Sequence, residues 1–351
     1  MSPEPLHMGW DVGGAHLKVA LVDARGGVRR VAQYATPLWR GLDSLEQALA
    51  RCAAEFPVDR VDHALTMTGE LADLFPDRAE GVRRLIDFVA ERLPSGRLGI
   101  YAGPDGLLAP TRARDRSAAV ASANWHATAA LCARRLTAGL LVDVGSTTAD
   151  LLGFADGKVR HHGYTDRERL ASGELVYTGV VRTPVMSLCE RVPLRGTWVA
   201  LAAEHFATTA DVYRLTGDLA AHADQADTAD GRGRSVAESA VRLARMLGED
   251  AAALAHAEWV ALAAYLAECQ LQKIHQSAAL QLSRGLPRHA PLVGAGVGRF
   301  LVRRLAARLG RDYLDFDELF PVAAAGPAFR GADCAPALAV ALLAAWERRA
   351  A

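Results

Sequence analysis

Two segments of this chain follow one plan, and that repetition limits the folds it can adopt. Residues 8–23 (MGWDVGGAHLKVALVD) and residues 140–154 (LLVDVGSTTADLLGF) each run from an apolar strand through an Asp-x-Gly turn into a second apolar strand. A further turn follows each copy, at residues 24–27 and 155–158. Each copy therefore predicts a β-hairpin. Two copies of one supersecondary plan predict two related lobes.

Length and composition agree with two lobes. The chain has 351 residues, longer than most single cores, so we predict an N-terminal lobe over residues 1–138 and a C-terminal lobe over residues 139–351. Apolar residues make up 51% of the chain and charged residues 23%, which is typical of a soluble globular enzyme. The sequence has no apolar run long enough to span a bilayer, and we expect a cytoplasmic protein.

The balance of acidic and basic residues indicates which kinds of binding partner to expect. Lys plus Arg and Asp plus Glu both number 40, and no long run carries one sign. We therefore expect neither nucleic acid nor a membrane as partner, and favour small-molecule substrates. A homo-oligomer stays an open alternative.

The two Asp-x-Gly turns have the composition of a phosphate site. Gly13, Gly14 and Gly145 are expected to allow close backbone approach and positive φ, so that amide groups converge on an anion. Asp11 and Asp143 are candidate catalytic and metal-binding residues, because Mg²⁺ prefers a few carboxylates together with waters. The alternative is that each buried aspartate only caps a hairpin turn.

A third glycine cluster lies in PLVGAGVGRFLVRRLAARLG, residues 291–310. The pattern predicts a buried strand, a glycine turn and an amphipathic helix. Gly294 and Gly296 would then lie where a nucleotide-like group can meet the N-terminus of a helix. The Gly-Lys-Ser/Thr ending of a P-loop is absent from the sequence, which argues against a P-loop NTPase.

The order of these three segments resembles the phosphate-1, phosphate-2 and adenosine segments of the actin, sugar-kinase and Hsp70 superfamily. That resemblance implies an α/β chain with a two-lobed actin-like ATPase (ribonuclease H-like) fold, a mixed sheet in each lobe and an interlobe cleft. Within the superfamily the chain is similar to the hydantoinase A and oxoprolinase type, in a branch linked to tetrahydromethanopterin-dependent one-carbon metabolism. The segments that carry this closer similarity are GWDVGGAHLKVAL, DVGSTTADLLGF, LTMTGELADLFPDRAEGV, SANWHATA, YTGVVRTPV and AEHFATTADVYRLTGDL.

The resemblance implies a transferase of methanofuran or methylofuran biosynthesis. Such an enzyme joins an aminomethylfuran-methyl diphosphate to the phenol oxygen of a glutamyl-tyramine or tyrosine-type acceptor and releases diphosphate. Mg²⁺ is the expected cofactor, and this hypothesis does not require ATP or ADP. The alternatives are an ATP-dependent small-molecule kinase, a hydantoinase/oxoprolinase-type amidohydrolase, or a non-catalytic nucleotide-binding assembly protein. The third glycine cluster could bind adenine, or it could line a furan or phenol pocket.

Basic and polar residues near the turns extend the candidate site. Lys18 lies on the strand after the first turn and could contact a phosphate oxygen, or it could be a surface lysine. His16, on the same face, could donate to the leaving group or be a satisfied polar residue. Ser146, Thr147 and Thr148 suit a polyphosphate, although such residues are also usual in a capped turn.

The remaining candidates each have a structural alternative. Asp150 is a metal partner or general base, or else a cap, and Asp211 is a catalytic residue or serves the first turn of its own helix. Arg182 could bind a carboxylate or diphosphate, or form a structural ion pair. A helix is predicted from about residue 255 to residue 284, on which Lys273 points to the cleft or belongs to a solvated face.

Overall fold

The computed structural model describes residues 5–93, 97–321 and 329–350 as a mixed α/β protein. The strands are β1 (Leu6–Val12), β2 (His16–Asp23), β3 (Val28–Ala35), β4 (Val61–Met67), β5 (Leu98–Tyr101), β6 (Leu107–Leu108), β7 (Ala138–Val144), β8 (Ala149–Ala155), β9 (Lys158–Arg160), β10 (Leu175–Val176), β11 (Arg191–Leu194), β12 (Thr197–Ala200), β13 (Leu292–Ala295) and β14 (Tyr313–Asp315).

The α-helices are α1 (Asp43–Glu55), α2 (Arg78–Arg92), α3 (Pro110–Arg114), α4 (Ser117–Val120), α5 (Asn124–Ala133), α6 (Asp166–Ser172), α7 (Thr209–Thr216), α8 (Val236–Met246), α9 (His256–Leu282), α10 (Arg299–Leu309), α11 (Phe316–Leu319) and α12 (Ala335–Ala350). Short 3₁₀ turns include Gly69–Leu71, Val185–Ser187 and Gly331–Cys334. Among the described residues, none of the helices is both long enough and apolar enough to cross a membrane.

The first sheet has the strand order β3-β2-β1-β4-β5-β6. β1, β2 and β3 form an antiparallel meander, while β1 pairs with β4, and β4 with β5, in parallel. The strand before the first Asp-x-Gly turn thus lies between its hairpin partner and a parallel strand from later in the chain. The antiparallel pairing of β1 with β2 confirms the predicted hairpin.

The second sheet repeats this arrangement. Its order is β10-β8-β7-β13-β14, and β9 also pairs with β8. β7, the strand before the second Asp-x-Gly turn, lies between β8 and the parallel strand β13. The predicted α/β class with a mixed sheet in each of two halves is confirmed, and the repeated arrangement around the two hairpins confirms the internal duplication.

Two compact units contain these sheets. The first comprises Met1–Gly139, Leu152–Arg169 and Leu314–Ala351, and the second comprises Leu140–Leu151 and Leu170–Tyr313. This division differs from the predicted lobes of residues 1–138 and 139–351, because two later segments join the first unit. The C-terminal segment does so because α12 packs on β1, β2 and β4.

In the first unit, β1 and β4 share a core with α1 and α2. The indole nitrogen of the buried Trp10 donates to Nδ1 of His63, 3.1 Å away. That nitrogen must therefore accept, so Nε2 carries the proton and donates to the carbonyl of Val58 at 3.0 Å. Burial lowers the pKa of His63, which keeps the ring neutral in this arrangement.

In the second unit, the long helix α9 confirms the helix predicted from about residue 255 to residue 284. Its apolar face includes Leu262, Leu266 and Ile274. These side chains pack in one core with residues of α7, α8 and α10. The burial of one face of α9 fixes the helix against the strands and loops that carry the candidate site.

The packing of α12 on the first sheet depends on Gly9. A Cβ atom added there would overlap the carbonyl oxygen of Ala337 and lie 2.8 Å from the nitrogen of Ala341. We expect Gly9→Ala to lower the free energy of unfolding by about 2–3 kcal/mol, the cost of overpacking against backbone. Urea denaturation would measure this. Gly14→Ala is the control, because a Cβ there meets nothing within 4 Å, and equal midpoints for the two variants would contradict the packing argument.

Candidate functional site

Both Asp-x-Gly turns are closed by the same backbone hydrogen bond. The amide of Gly13 donates to the carbonyl of His16, and the amide of Gly145 donates to the carbonyl of Thr148, each at 2.9 Å. The expectation of positive φ at Gly13, Gly14 and Gly145 is wrong, since none of the three lies in the left-handed region. A turn closed in this way does not require that conformation.

A loop that follows β10 packs against the second turn. The amide of Val180 donates to the carbonyl of Gly145 at 3.0 Å, and the amides of Val181 and Arg182 donate to the carbonyl of Ser146 at 3.1 and 2.8 Å. Gly179 makes this approach feasible, because a Cβ atom there would overlap the backbone of Ser146 and the next residue. The carbonyl groups of the turn therefore face the loop.

Arg182, a predicted substrate-binding residue, lies beside the second turn. Its Nη1 lies 3.5 Å from the hydroxyl oxygen of Thr147, and the hydroxyls of Ser146 and Thr147 are 3.4 Å apart. The residues from Gly145 to Thr148 and Arg182 are all half-buried. Burial lowers the pKa of the Arg182 guanidinium, because a low-dielectric environment disfavours its charge. Phosphate binding by this group stays a prediction.

A buried polar network holds the loop in place. The carbonyl of Gly179 accepts hydrogen bonds from the side chains of Gln270 and Thr209, both at 2.8 Å. Its amide donates to the hydroxyl of Thr183 at 2.7 Å, and the hydroxyl of Tyr213 donates to Gln270 at 2.5 Å. The sequence analysis missed Thr183, Thr209 and Tyr213 as supports of the turn. For Thr209 and Tyr213, the available signal was polar side chains in a predicted helix.

The third glycine cluster packs on the second Asp-x-Gly segment. Gly296 has φ of +79°, and a Cβ atom there would overlap the carbonyl oxygen of Val144 and Oδ1 of Asp143. The amide of Gly298 donates to the same carbonyl at 2.8 Å. Gly296 thus lies beside the half-buried carboxylate of Asp143. Gly294 has a packing role instead, since a Cβ there would lie 2.6 Å from the ring of Tyr313.

The candidates of the first turn lie on one face of β1 and β2. Asp11 is buried and stands opposite Lys18 in the antiparallel register, so their side chains project to the same side. Burial raises the pKa of the Cys334 thiol, and the nearby Lys18 opposes that shift while Asp11 adds to it. Lys18 is half-buried, and His16 is buried at the start of β2. Their proposed contacts with phosphate stay predictions.

The structure shows the positions of Asp150 and of the two predicted magnesium ligands, Asp11 and Asp143. Asp150 is half-buried in β8, opposite Leu175. Asp11 belongs to the first unit and Asp143 to the second. Within residues 5–93, 97–321 and 329–350, no group of three or more His, Cys, Asp or Glu side chains is arranged to hold a metal ion.

Asp211 has a structural role, which corrects its assignment as a catalytic residue. Its Oδ2 accepts from the amide of Thr208 at 3.0 Å, at the N-terminus of α7. Its Oδ1 accepts from Arg214 at 2.8 Å and from Arg242 at 2.7 Å. The carboxylate is buried and engaged on both oxygens, so it serves the helix and the buried arginines.

The sequence analysis also proposed Lys273, whose side chain hydrogen-bonds to the backbone. Its ammonium donates to the carbonyl of Ser187, in the 3₁₀ turn that follows the loop. The predicted contact with phosphate is therefore not supported for this residue. Its neighbour on the helix, Gln270, is the one that reaches the site.

The most notable residue that the sequence analysis missed is Glu70, which follows β4 beside the first turn. Its side chain is buried, and Oε1 accepts from the hydroxyl of Ser122 at 2.6 Å. No hydrogen-bond partner for Oε2 is found in the part of the chain that the structure describes. Gly69 packs closely against the turn, because a Cβ atom there would lie 3.1 Å from the carbonyl oxygen of Val12. The sequence signal was a glutamate in an otherwise apolar segment.

Burial raises the pKa of Glu70, with the hydrogen bond from Ser122 and the charge of Arg78 opposing the shift. The folded state thus favours the neutral carboxylic acid of Glu70. The folding stability that this neutral form provides at low pH is lost as the pH rises through the folded-state pKa. We expect Glu70→Gln to be more stable than the parent at high pH, with a difference that vanishes at low pH. Melting temperatures between about pH 4 and pH 8 would show this.

The control for that experiment is Glu91→Gln, because the Glu91 side chain is 74% exposed. Its melting temperature should follow the parent at every pH. A Glu70→Gln variant that is equally destabilised at all pH values would contradict the proposed titration. That outcome would assign the side chain a role in packing alone.

Comparison with solved structures finds chains of similar length. The activator of the 2-hydroxyisocaproyl-CoA dehydratase from Clostridium difficile aligns with a TM-score of 0.46 and 12% identity over 98% of this chain and 96% of that one. A ROK family glucokinase from Streptomyces griseus aligns with a TM-score of 0.47 and 16% identity over 96% of this chain and 98% of that one.

Comparison of sequences is more specific. A Methanocaldococcus jannaschii protein named (4-{4-[2-(gamma-L-glutamylamino)ethyl]phenoxymethyl}furan-2-yl)methanamine synthase is 34% identical over 245 residues, which are 69% of this chain and 72% of that protein. A Methanococcus vannielii protein of the same name is 34% identical over 111 residues, 32% of this chain and 50% of that protein. Residues 62–335 match the family described as Hydantoinase/oxoprolinase. The chain belongs to the hydantoinase/oxoprolinase family.

Proposed function

We propose that this protein is a transferase that makes the aryl ether of a methanofuran-type cofactor precursor. The observation that carries the proposal is the 34% identity to the Methanocaldococcus jannaschii synthase over 72% of that protein. The name of that relative describes a furan that bears an aminomethyl group and a phenoxymethyl group. The ether bond is the bond that we propose the enzyme forms, and both named relatives are synthases, which supports an enzymatic role.

The proposed substrates follow from breaking that ether bond. One is [5-(aminomethyl)furan-3-yl]methyl diphosphate, and the other is the phenol γ-glutamyl-tyramine or its tyrosine counterpart. The phenol oxygen attacks the methylene carbon and forms the C–O bond, while the bond from that carbon to the diphosphate oxygen breaks. Diphosphate leaves with the electron pair, and the phenol proton passes to a base. The protein must therefore stabilise a departing polyanion and accept one proton.

The second turn is proposed to bind the departing diphosphate. The hydroxyls of Ser146, Thr147 and Thr148 offer hydrogen bonds, and Arg182 beside them offers a charged fork. Because the arginine is half-buried, its interaction with an anion is less screened than on an open surface. In the first unit, the turn at Gly13 and Gly14 with Lys18 and His16 is the corresponding proposed phosphate contact.

Carboxylates complete the proposed machinery. Asp143 is the residue that would hold Mg²⁺ at the second turn, and Asp11 is the corresponding residue at the first turn. The ion would neutralise charge on the diphosphate when bound. Asp150 is the proposed proton acceptor, since it follows the second turn at strand spacing and is half-buried rather than fully enclosed. Each of these assignments can be tested by substituting a single residue.

The reaction itself is the first test. The purified protein is incubated with Mg²⁺, the furan diphosphate and either glutamyl-tyramine or glutamyl-tyrosine, and released diphosphate and the mass of the coupled ether are followed. We expect coupled product without ATP. A parallel incubation replaces the furan diphosphate with ATP. Hydrolysis of ATP or a phosphorylated acceptor, with no ether formed, would reject the transferase and favour the kinase or amidohydrolase alternative.

Substitution of Asp143 tests the second turn. We expect Asp143→Asn to lower the rate of ether formation by at least about 100-fold, because the charge on the proposed metal ligand is lost while the shape is kept. The control is Asp156→Asn, which lies at the far end of β8 with a side chain that is 79% exposed and should keep the parent rate. Thermal unfolding would verify that both variants fold. Full activity in Asp143→Asn would remove this residue from the site.

A further inference from the structure

We propose that Tyr177 binds the furan ring of the diphosphate substrate by stacking, and so selects a diphosphate that carries an aromatic group. This inference rests on the proposed function, because it assumes that the second turn binds the diphosphate. It assigns to Tyr177 a specificity role that is separate from the phosphate contacts.

Backbone contacts of the residues on either side of Tyr177 hold it at the edge of the second turn. On one side, Val176 stands opposite Ala149, the first residue after the turn, in the antiparallel pairing of β10 with β8. On the other side, Gly179 packs directly on the backbone of Ser146. Tyr177 lies between these two anchored positions, so its backbone is held beside the turn.

The ring is exposed although its backbone is fixed. The side chain of Tyr177 is 57% exposed, which is unusual for a large apolar group at a half-buried polar site. The residues after it are held by buried bonds, with Gln270 donating to the hydroxyl of Thr178 at 2.9 Å and to the carbonyl of Gly179 at 2.8 Å. An aromatic side chain on a rigid backbone loses little conformational entropy when it binds a ligand.

The charge beside the ring defines the class of ligand. Tyr177 interacts electrostatically with Arg182, whose guanidinium also approaches the hydroxyl of Thr147. The exposed ring suits a flat aromatic group of a ligand, and the neighbouring arginine and hydroxyls suit an anion. A ligand that fits both carries an aromatic ring and an anion joined by a short link. A heteroarylmethyl diphosphate has that form, with one methylene between the ring and the phosphate.

Trp198 is another exposed aromatic residue of the same unit. It is 56% exposed, and its ring packs edge-on against Tyr265 at 6.3 Å and lies under the guanidinium of Arg191 at 4.9 Å. Trp198 thus belongs to a surface cluster at the β11–β12 hairpin. Trp198 therefore provides a control of matched exposure outside the proposed site.

The test compares two ligands by calorimetry in the presence of Mg²⁺: the furan diphosphate alone, without acceptor, and inorganic diphosphate. We expect Tyr177→Ala to bind the furan diphosphate about 10-fold more weakly and inorganic diphosphate with unchanged affinity, since only the first ligand can stack. Tyr177→Phe should keep both affinities within about twofold, because its ring is retained. Trp198→Ala should match the parent for both ligands.

The outcomes separate this inference from the proposed function. If Tyr177→Ala binds the furan diphosphate as tightly as the parent does, or loses affinity equally for both ligands, the stacking role is rejected while the diphosphate site stands. If Tyr177→Phe loses as much as Tyr177→Ala, the hydroxyl rather than the ring makes the contact, and the inference is also rejected. If the parent binds neither ligand, the proposed function fails and this inference fails with it.

Discussion

The candidate site of the second unit depends on one close backbone approach, that of Gly179 to Ser146. No side chain fits between the two segments, so the loop can donate its amides to the carbonyls of the turn. The amide and carbonyl of Gly179 are bonded in turn to Thr183, Thr209 and Gln270. Because these bonds lie in a low-dielectric core, breaking one leaves a buried polar group unpaired. The positions of the loop residues are therefore determined by the core.

The sequence predicted the parts of the fold that are encoded locally. Each Asp-x-Gly hairpin consists of adjacent strands and a short turn, and both the duplication and the mixed sheets follow from that pattern. The predicted role of the glycines was less accurate. Gly296 does need positive φ, whereas a Cβ at Gly145 would make an ordinary 3.5 Å contact and one at Gly14 would meet nothing within 4 Å. The fold itself therefore does not require glycine at position 14 or 145. This agrees with the proposal that a ligand approaches the backbone at these positions.

The parts that the sequence did not predict depend on residues far apart in the chain. Glu70 is paired with Ser122, and Asp211 binds Arg242, so the partner of each is invisible to any local pattern. The capping role of Asp211 was available as an alternative because Thr208 is close in sequence. Likewise α12 joins the first unit through Gly9, a contact between opposite ends of the chain, and the predicted lobe boundary could not include it.

Two arginines of the second unit, Arg214 and Arg182, differ in how their surroundings affect the charged guanidinium. For Arg214, burial opposes the charged form, but Asp224 and Asp211 outweigh burial and raise its pKa, so the protein itself neutralises the guanidinium. For Arg182, burial lowers the pKa, and the nearby Tyr177 offsets that only in part. A bound diphosphate would favour the charged form of Arg182. Because this guanidinium is half-buried, its attraction for a polyanion would be weakly screened, and the attraction would be greatest as charge develops on the leaving group.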